Sequence, residues 1–208
     1  MRYTDIAWDF DGTLFDSYPN CIRAFRQMLN SYGYDEETDA LKREMLITIR
    51  HARQFFAEKY GLDPDEMNVR YKHFEGFHPE LVRPYPQVEE VLRKIKESGR
   101  RNHLYTNRNV AAVRYLDHYG FTQYFDGLIT SELQKKLKPS PDGAYILRDR
   151  YQIPPGKLLM VGDRSVDIDS VKPLGYDGCY YNTNRLAVPE NADFTLETDQ
   201  LIELLDYI

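Results

Sequence analysis

The chain has 208 residues, of which 29% are charged, and its formal net charge is −6. This acidic balance argues against a broad basic face for nucleic acid, and no apolar run approaches the roughly 18 residues that a membrane span requires. Cys21 and Cys179 lie far apart without a CxxC pair, which disfavours a zinc site or a disulfide framework. Since the amino terminus also lacks the pattern of a signal peptide, we expect a cytoplasmic protein.

The first predicted element is a strand over residues 3–8, which is rich in apolar and aromatic side chains and has no proline. Such a run is typical of a strand buried on both faces of a parallel sheet. Gly12 interrupts the pattern, so Asp9 and Asp11 fall where the strand ends. Residues i and i+2 of an extended chain point to the same side, so these carboxylates are expected to lie close together at the carboxyl edge of a sheet. Such a pair needs a cation, a shared proton or solvent, and taken alone it is equally compatible with a solvated acidic turn.

Residues 16–81 are predicted to form a helical unit without a convincing strand. Apolar residues recur at helical spacing in four segments: Ile22, Phe25, Met28, Leu29 and Tyr32; Leu41, Met45 and Ile49; Phe55, Phe56 and Tyr60; and Met67, Tyr71 and Phe74. The fourth segment begins with Asp63 as N-cap and Pro64 in the first turn, and Glu66 is expected to complete a capping box. Three prolines over residues 79–86 preclude a continuous helix and close the unit. We therefore divide the chain into a core, residues 1–15 and 82–208, and an inserted unit, residues 16–81.

The remainder of the chain alternates between strands and helices. Strands are predicted at residues 102–106, 127–130, 158–162 and 179–181 and near Phe194. Helices are predicted after residues 87, 109, 140 and 164, the last of these reaching about Leu174, and a final helix carries Leu201, Leu204 and Ile208. This alternation is typical of βαβ units and a doubly wound parallel sheet.

Polar residues follow three of these strands, as Asp9 and Asp11 follow the first. Thr106 ends one strand, Lys138 precedes a helix, and Asp163 and Asp167 follow another strand. The carboxyl ends of parallel strands open on one edge, so these side chains are expected to converge. Carboxylates bind a hard cation of the Mg²⁺ kind, whereas lysine, hydroxyl and helix amino termini bind an anion. A cation site beside an anion site is typical of a phosphoryl-transfer pocket.

With these motifs in order, the chain resembles hydrolases of the haloacid dehalogenase-like (HAD) superfamily. The run from Asp9 to Leu14 is similar to the first motif of that superfamily, and Thr106, Lys138 and the Asp163–Asp167 pair are similar to the other three. The helical unit occupies the position of the cap in the subgroup that includes phosphoglycolate phosphatases and β-phosphoglucomutases. The resemblance implies an α/β fold: a doubly wound, Rossmann-like parallel-sheet core with an inserted all-α cap.

The resemblance also implies catalytic and metal-binding roles. Asp9 would be the nucleophile that forms an aspartyl-phosphate, and Asp11 would be the general acid and base. Mg²⁺ would be held by the side chains of Asp9 and Asp163 and by the main-chain carbonyl of Asp11. Asp167 would fix metal-bound water, although Asp169 is a competing candidate for this role.

The remaining implied roles concern the phosphoryl group. Thr106 and Lys138 would bind its oxygens, assisted by N–H groups near Asn107. Lys138 would also pair with Asp9, reducing the repulsion among the acids. It is chosen over Lys135 and Lys136 because the Lys-Pro pair matches the motif.

Substrate recognition is expected to come from cationic side chains of the cap. Arg50, His51 and Arg53 cluster at the junction of two cap helices, and Arg108 follows Thr106 closely. These side chains suit a second anionic group of the substrate, such as a carboxylate. We hypothesise that Arg50 or His51 contacts substrate, with solvated helix charges as the alternative.

The predicted function is therefore a Mg²⁺-dependent phosphatase that hydrolyses a small phosphomonoester metabolite. A sugar phosphomutase of the β-phosphoglucomutase type uses the same four motifs and is the nearest alternative. A catalytically silent regulatory module on the same scaffold is the alternative from a different class. We expect a monomer or homodimer with no nucleic-acid or membrane partner.

Overall fold

A six-stranded parallel sheet forms the centre of the larger of two units in a computed structural model of the chain, which describes residues 2–182, 187–197 and 200–208. The larger unit comprises Met1–Asp16 and Pro84–Ile208, and the smaller unit comprises Ser17–Arg83. None of the helices in the described ranges combines the length and apolar character needed to cross a membrane.

The strands are numbered in chain order as β1 (Asp5–Trp8), β2 (Phe15–Asp16), β3 (Arg83–Pro84), β4 (Arg101–Tyr105), β5 (Phe125–Ile129), β6 (Leu158–Gly162), β7 (Asp177–Tyr181) and β8 (Phe194–Leu196). The helices are α1 (Tyr18–Asn30), α2 (Thr38–Ile47), α3 (Ile49–Tyr60), α4 (Pro64–Glu75), α5 (Val88–Glu97), α6 (Ala111–His118), α7 (Asp142–Tyr151) and α8 (Ser165–Asp169). The large sheet has the order β5-β4-β1-β6-β7-β8, and its registered pairs are parallel. The predicted fold class is confirmed.

Strand β1 lies between β4 and β6, which explains its apolar sequence. Ile6, Ala7 and Trp8 are fully buried, and Trp8 is in register with Leu104 on one side and Val161 on the other. A strand covered on both faces and paired on both edges favours apolar side chains, as at these three residues. The residues that follow β1 are therefore delivered to the middle of the carboxyl edge.

The amino end of β1 carries a buried charged cluster around Asp5. His103 Nε2 lies 2.7 Å from Asp5 Oδ1, Arg101 Nη2 donates to Asp5 Oδ2 at 3.0 Å, and the Thr4 hydroxyl donates to Asp5 Oδ2 at 2.7 Å. Burial raises the pKa of Asp5, but the bonds from His103, Arg101 and Thr4 more than offset it, so that the pKa lies below its ordinary value. These contacts therefore stabilise the ionised form of Asp5.

The smaller unit contains four helices, and its helix boundaries correct two predictions. Ile49 was expected to continue the stripe of α2, but Thr48 is extended and caps α3, its hydroxyl accepting from His51 N at 2.9 Å. Asp63 caps α4 as predicted, with Pro64 at its start, whereas the Glu66 carboxylate accepts from Arg70 at 2.7 Å, so the expected capping box is not seen.

Two helices of the larger unit are shorter than predicted. Helix α8 ends at Asp169, and Lys172–Leu174 forms a separate 3₁₀ turn in which Pro173 stands. The final segment, Leu201–Asp206, is a 3₁₀ helix that buries Leu201 and Leu204. Proline lacks the amide hydrogen of an α-helical interior, which explains the early end of α8.

Candidate active site

Three adjacent strands, β4, β1 and β6, bring three of the predicted site residues to one edge of the sheet. Asp9 directly follows β1, and its N–H donates to Val161 O on β6 at 2.9 Å. Thr106 follows β4 and Asp163 follows β6. Asp9 and Thr106 are fully buried and Asp163 is 2% exposed, so the site is a desolvated cluster.

Lys138 lies at the centre of the cluster. Its ammonium group donates to Asp9 Oδ1 at 2.7 Å, to Asp167 Oδ1 at 2.5 Å and to the Tyr105 carbonyl at 2.9 Å. These contacts engage all three ammonium hydrogens. The geometry therefore supports the pairing of Lys138 with Asp9, whereas contact with a phosphoryl oxygen requires one of these bonds to be exchanged.

The other lysines considered from sequence occupy different surroundings. Lys135 and Lys136 are exposed, and Lys138 is buried. The backbone of Lys138 is fixed by Asn107, whose side chain accepts from Lys138 N at 2.8 Å and donates to Lys138 O at 3.1 Å. The Asn107 side chain thus positions Lys138, and the phosphate contact of the Asn107 backbone N–H stays a prediction.

Thr106 presents a hydroxyl beside this loop. Its Oγ1 accepts from Arg108 N at 3.0 Å, and Gln134 Nε2 donates to the Thr106 carbonyl at 2.8 Å. Because Oγ1 accepts in this contact, its own hydrogen can be donated to an oxyanion.

Asp9, Asp163 and Asp167 form an acidic group suited to a metal ion. One oxygen from each lies within 4.8 Å of the others, all three residues are buried, and this is the grouping of that kind found in the described ranges. Asp9 Oδ2 is buried and accepts no hydrogen bond from the residues that the structure describes. A buried oxygen of this kind suits a hard cation, so the residues present fit a dication such as Mg²⁺.

The surroundings of Asp167 differ from those of the other two acids. Its Oδ1 accepts from Lys138, and its Oδ2 accepts from Arg164 N at 3.1 Å. Gly162 permits this placement, since a Cβ at that position would lie 2.4 Å from the Cβ of Asp167. Both oxygens of Asp167 are held by protein donors, which supports its predicted role behind the metal ligands. The competing Asp169 instead accepts from the side chain of Asn191.

The electrostatics of Asp9 reflect burial among like charges. Burial, and after it the nearby Asp167, raise the pKa of Asp9 to about 6, even though Lys138 and Arg164 act in the opposite direction. Two cations thus do not compensate for full desolvation of this carboxylate. A bound dication would favour its ionised form.

Asp11 is held by a residue whose role sequence reasoning did not identify. Arg108 Nε lies 3.0 Å from both Asp11 oxygens, and its Nη2 donates to Oδ1 at 2.7 Å. The guanidinium also lies over the Phe10 ring, 5.6 Å from its centroid. The sequence had grouped Arg108 with the cations expected to bind substrate. Its position two residues after Thr106, at the same sheet edge as Asp11, was the sequence signal that could have indicated its contact with Asp11.

Arg164 is the second residue whose role sequence reasoning missed. Its Nη2 lies 3.8 Å from Asp9 Oδ2, and its Nε lies 3.6 Å from Asp163 Oδ1. The only sequence signal was adjacency to Asp163, which does not reveal the direction of a long side chain.

Arg50 and His51 are placed at the start of α3 in the smaller unit. Both are exposed, and His51 Nε2 lies 3.1 Å from Glu44 Oε2. The core motifs lie at one edge of the sheet in the larger unit, whereas Arg50 and His51 belong to the smaller unit. Their contact with substrate stays a prediction.

The comparison with protein families decides the class of this enzyme. Residues 6–179 match the model of the haloacid dehalogenase-like hydrolase family. The chain belongs to this family. The predicted resemblance is confirmed.

Named relatives share most of the length of this HAD-like hydrolase. A phosphoglycolate phosphatase from Vibrio vulnificus (strain CMCP6) is 29% identical, over 98% of this chain and 95% of that protein. An N-acetylmuramic acid 6-phosphate phosphatase from Pseudomonas aeruginosa is 26% identical, over 84% of this chain and 80% of that protein. The crystal structure of a hydrolase from Streptococcus pneumoniae TIGR4 aligns with a TM-score of 0.61 and 30% identity, covering 86% of this chain and 92% of that chain. The prediction of a phosphatase-class HAD hydrolase is confirmed.

Proposed function

We propose that this HAD-like hydrolase is a Mg²⁺-dependent phosphomonoesterase of the cytoplasm that acts on a small phosphorylated metabolite through an aspartyl-phosphate on Asp9. The observation that carries the proposal is the asymmetric environment of the Asp9 carboxylate. Lys138 holds Oδ1 at 2.7 Å, while Oδ2 accepts no hydrogen bond within the described ranges. One oxygen is thus oriented by the protein and the other is suited to a metal or to phosphorus.

The metal would be held by Asp9, Asp163 and the carbonyl of Asp11, with Asp167 behind them. When bound, Mg²⁺ would supply charge stabilisation to the transferring phosphoryl oxygens. Lys138 and Asp167 hold the orientation of this cluster through the contacts described above. Thr106 would donate its hydroxyl to a phosphoryl oxygen, and the Asn107 backbone would donate its N–H.

Asp9 would attack phosphorus, forming the Asp9–phosphoryl bond as the bond from phosphorus to the ester oxygen breaks. Asp11 would protonate the departing oxygen and then remove a proton from the water that hydrolyses the aspartyl-phosphate. The guanidinium of Arg108 favours the carboxylate form of Asp11, which suits the second half of this cycle. For the first half, Asp11 must exchange that ion pair for a proton.

A panel of phosphorylated metabolites, assayed for inorganic phosphate with and without Mg²⁺, tests the proposal. It should include phosphoglycolate, hexose phosphates and N-acetylmuramic acid 6-phosphate. We expect Mg²⁺-dependent phosphate release, and acid-quenched enzyme should carry a phosphoryl group on Asp9. The matched control is Arg148→Gln, which changes an exposed residue of α7 that pairs with Asp149.

The proposal fails if no compound releases phosphate under any condition, or if Asp9→Asn turns over like the parent. An isomeric sugar phosphate as product would instead support the phosphomutase. Only the panel can name the substrate, since one fold and one motif set serve many chemistries.

A further inference from the structure

Arg164 lies at the amino end of α8, directly after the predicted metal ligand Asp163. Its backbone N–H donates to Asp167 Oδ2 at 3.1 Å, and its carbonyl accepts from Asp167 N at 3.1 Å. Asp167 therefore fixes the backbone of Arg164 from both sides. The side chain is only 14% exposed, so its charge is held inside the cluster.

The guanidinium faces the side of the cluster that Lys138 does not occupy. Lys138 contacts Oδ1 of Asp9, whereas Arg164 lies near Oδ2 of Asp9 and Oδ1 of Asp163, at 3.8 and 3.6 Å. These oxygens belong to the two side chains proposed to bind the metal. Arg164 therefore places a fixed positive charge beside the metal-binding oxygens.

The lengths of these contacts matter. At 3.6–3.8 Å these two contacts are longer than hydrogen bonds, so through them Arg164 attracts the carboxylates electrostatically and not by a directional bond. The Lys138 contacts, at 2.5–2.9 Å, are directional bonds. Lys138 thus orients Asp9 and Asp167 through hydrogen bonds, while Arg164 acts on Asp9 and Asp163 through its charge.

We propose that Arg164 competes electrostatically with the divalent cation and sets its affinity. The positive charge of Arg164 weakens cation binding through repulsion in a buried setting, where charges are poorly screened. The same charge stabilises the chelator-treated protein, because it reduces repulsion between Asp9 and Asp163. This inference rests on the proposed metal-dependent function and concerns binding, so it can be tested without turnover.

The test measures Mg²⁺ affinity by isothermal titration calorimetry, without phosphate or substrate, in the parent and in Arg164→Met. Methionine removes the charge, retains an unbranched side chain and offers no hard oxygen ligand. We expect Mg²⁺ to bind roughly tenfold more tightly to the variant. In EDTA the melting temperature of the variant should be lower than that of the parent. Addition of Mg²⁺ should raise the melting temperature of the variant by more than it raises that of the parent.

Two further variants separate charge from structure. Arg164→Lys keeps the charge and should bind Mg²⁺ like the parent. Arg148→Gln changes the net charge equally, but at an exposed residue that pairs with Asp149, and should leave Mg²⁺ affinity unchanged. If Arg164→Met does not fold, Arg164→Ala is the second neutral variant.

Equal or weaker Mg²⁺ binding by the neutral variant overturns the inference. A loss of affinity for inorganic phosphate with unchanged Mg²⁺ binding also overturns it, and identifies Arg164 as an anion-binding residue. In both cases the parent still binds Mg²⁺, so the proposed function stands. A parent that neither binds Mg²⁺ nor releases phosphate contradicts the proposed function itself.

Discussion

Asp5 and Asp9 lie at opposite ends of β1, and both residues are fully buried. Asp5 accepts from Thr4 and Arg101 and contacts His103, and its pKa lies below its ordinary value. At Asp9, burial and Asp167 raise the pKa of the carboxyl, whereas Lys138 and Arg164 lower it, and the result is a pKa raised to about 6. Burial alone therefore does not distinguish a structural carboxylate from a reactive one; the balance of its neighbours does.

The largest expected difference between the two ends is in activity. Asp9→Asn removes the proposed nucleophile and should lower kcat by about 10⁴-fold or more. The loss is large because removing one member of a set of catalytic residues that act together costs nearly as much as removing the whole set. The melting temperature should not fall, because an ionised carboxylate with a raised pKa costs stability. Steady-state kinetics and calorimetry measure both quantities. If the Asp9→Asn variant retains activity or unfolds, Asp9 has a structural role like that of Asp5, and its role as nucleophile is contradicted.

Asp11→Asn tests the second acid at the carboxyl end of β1. We expect kcat to fall by about 10³-fold, in the range for loss of a general acid–base group. The loss should be smaller for a substrate with a good leaving group, such as an aryl phosphate, because that oxygen needs less protonation. An equal loss for aryl and alkyl phosphates would contradict the acid role.

Asp5→Asn should change stability and leave catalysis nearly unaltered. Removing one partner of a buried ion pair costs about 3 kcal/mol, or roughly 10² in the folding equilibrium constant. The pKa of Asp5 is lowered when folded, so this stabilisation is present above its ordinary value of 3.8 and is lost as the pH falls through the lowered value. Urea unfolding of parent and variant at pH 7 and at pH 3 checks this. A kcat changed tenfold in the folded variant would show that the two ends are coupled.

The smallest expected effect is the pH dependence of metal binding. Because burial raises the pKa of Asp9 to about 6, Mg²⁺ must displace a proton at lower pH. Its dissociation constant should rise about tenfold per pH unit below that value and level off above it. Calorimetry in buffers of different ionisation enthalpy measures the released proton. Asp5→Asn should give the same profile, and a flat profile between pH 5 and 7 would contradict the raised pKa.

Much of the fold of the core could be predicted from the sequence, because the patterns that indicate its strands and helices are local. The apolar run before Asp9 predicts a buried strand, and the alternation after residue 87 predicts a parallel sheet, whose strand ends must share an edge. The helix boundaries were less predictable. Ile49 matches the apolar period of α2, and only the extended backbone of Thr48 assigns it to α3.

The same division applies to the site. The sequence by itself placed Asp9, Thr106, Lys138 and Asp163 at one edge of the sheet, because each follows a strand or precedes a helix there. Only the tertiary structure decided that Arg108 holds Asp11 and that Arg164 faces Asp9 and Asp163. Topology fixes where a backbone emerges, but a long side chain is directed by the charges around it. Those charges come from strands far apart in the sequence.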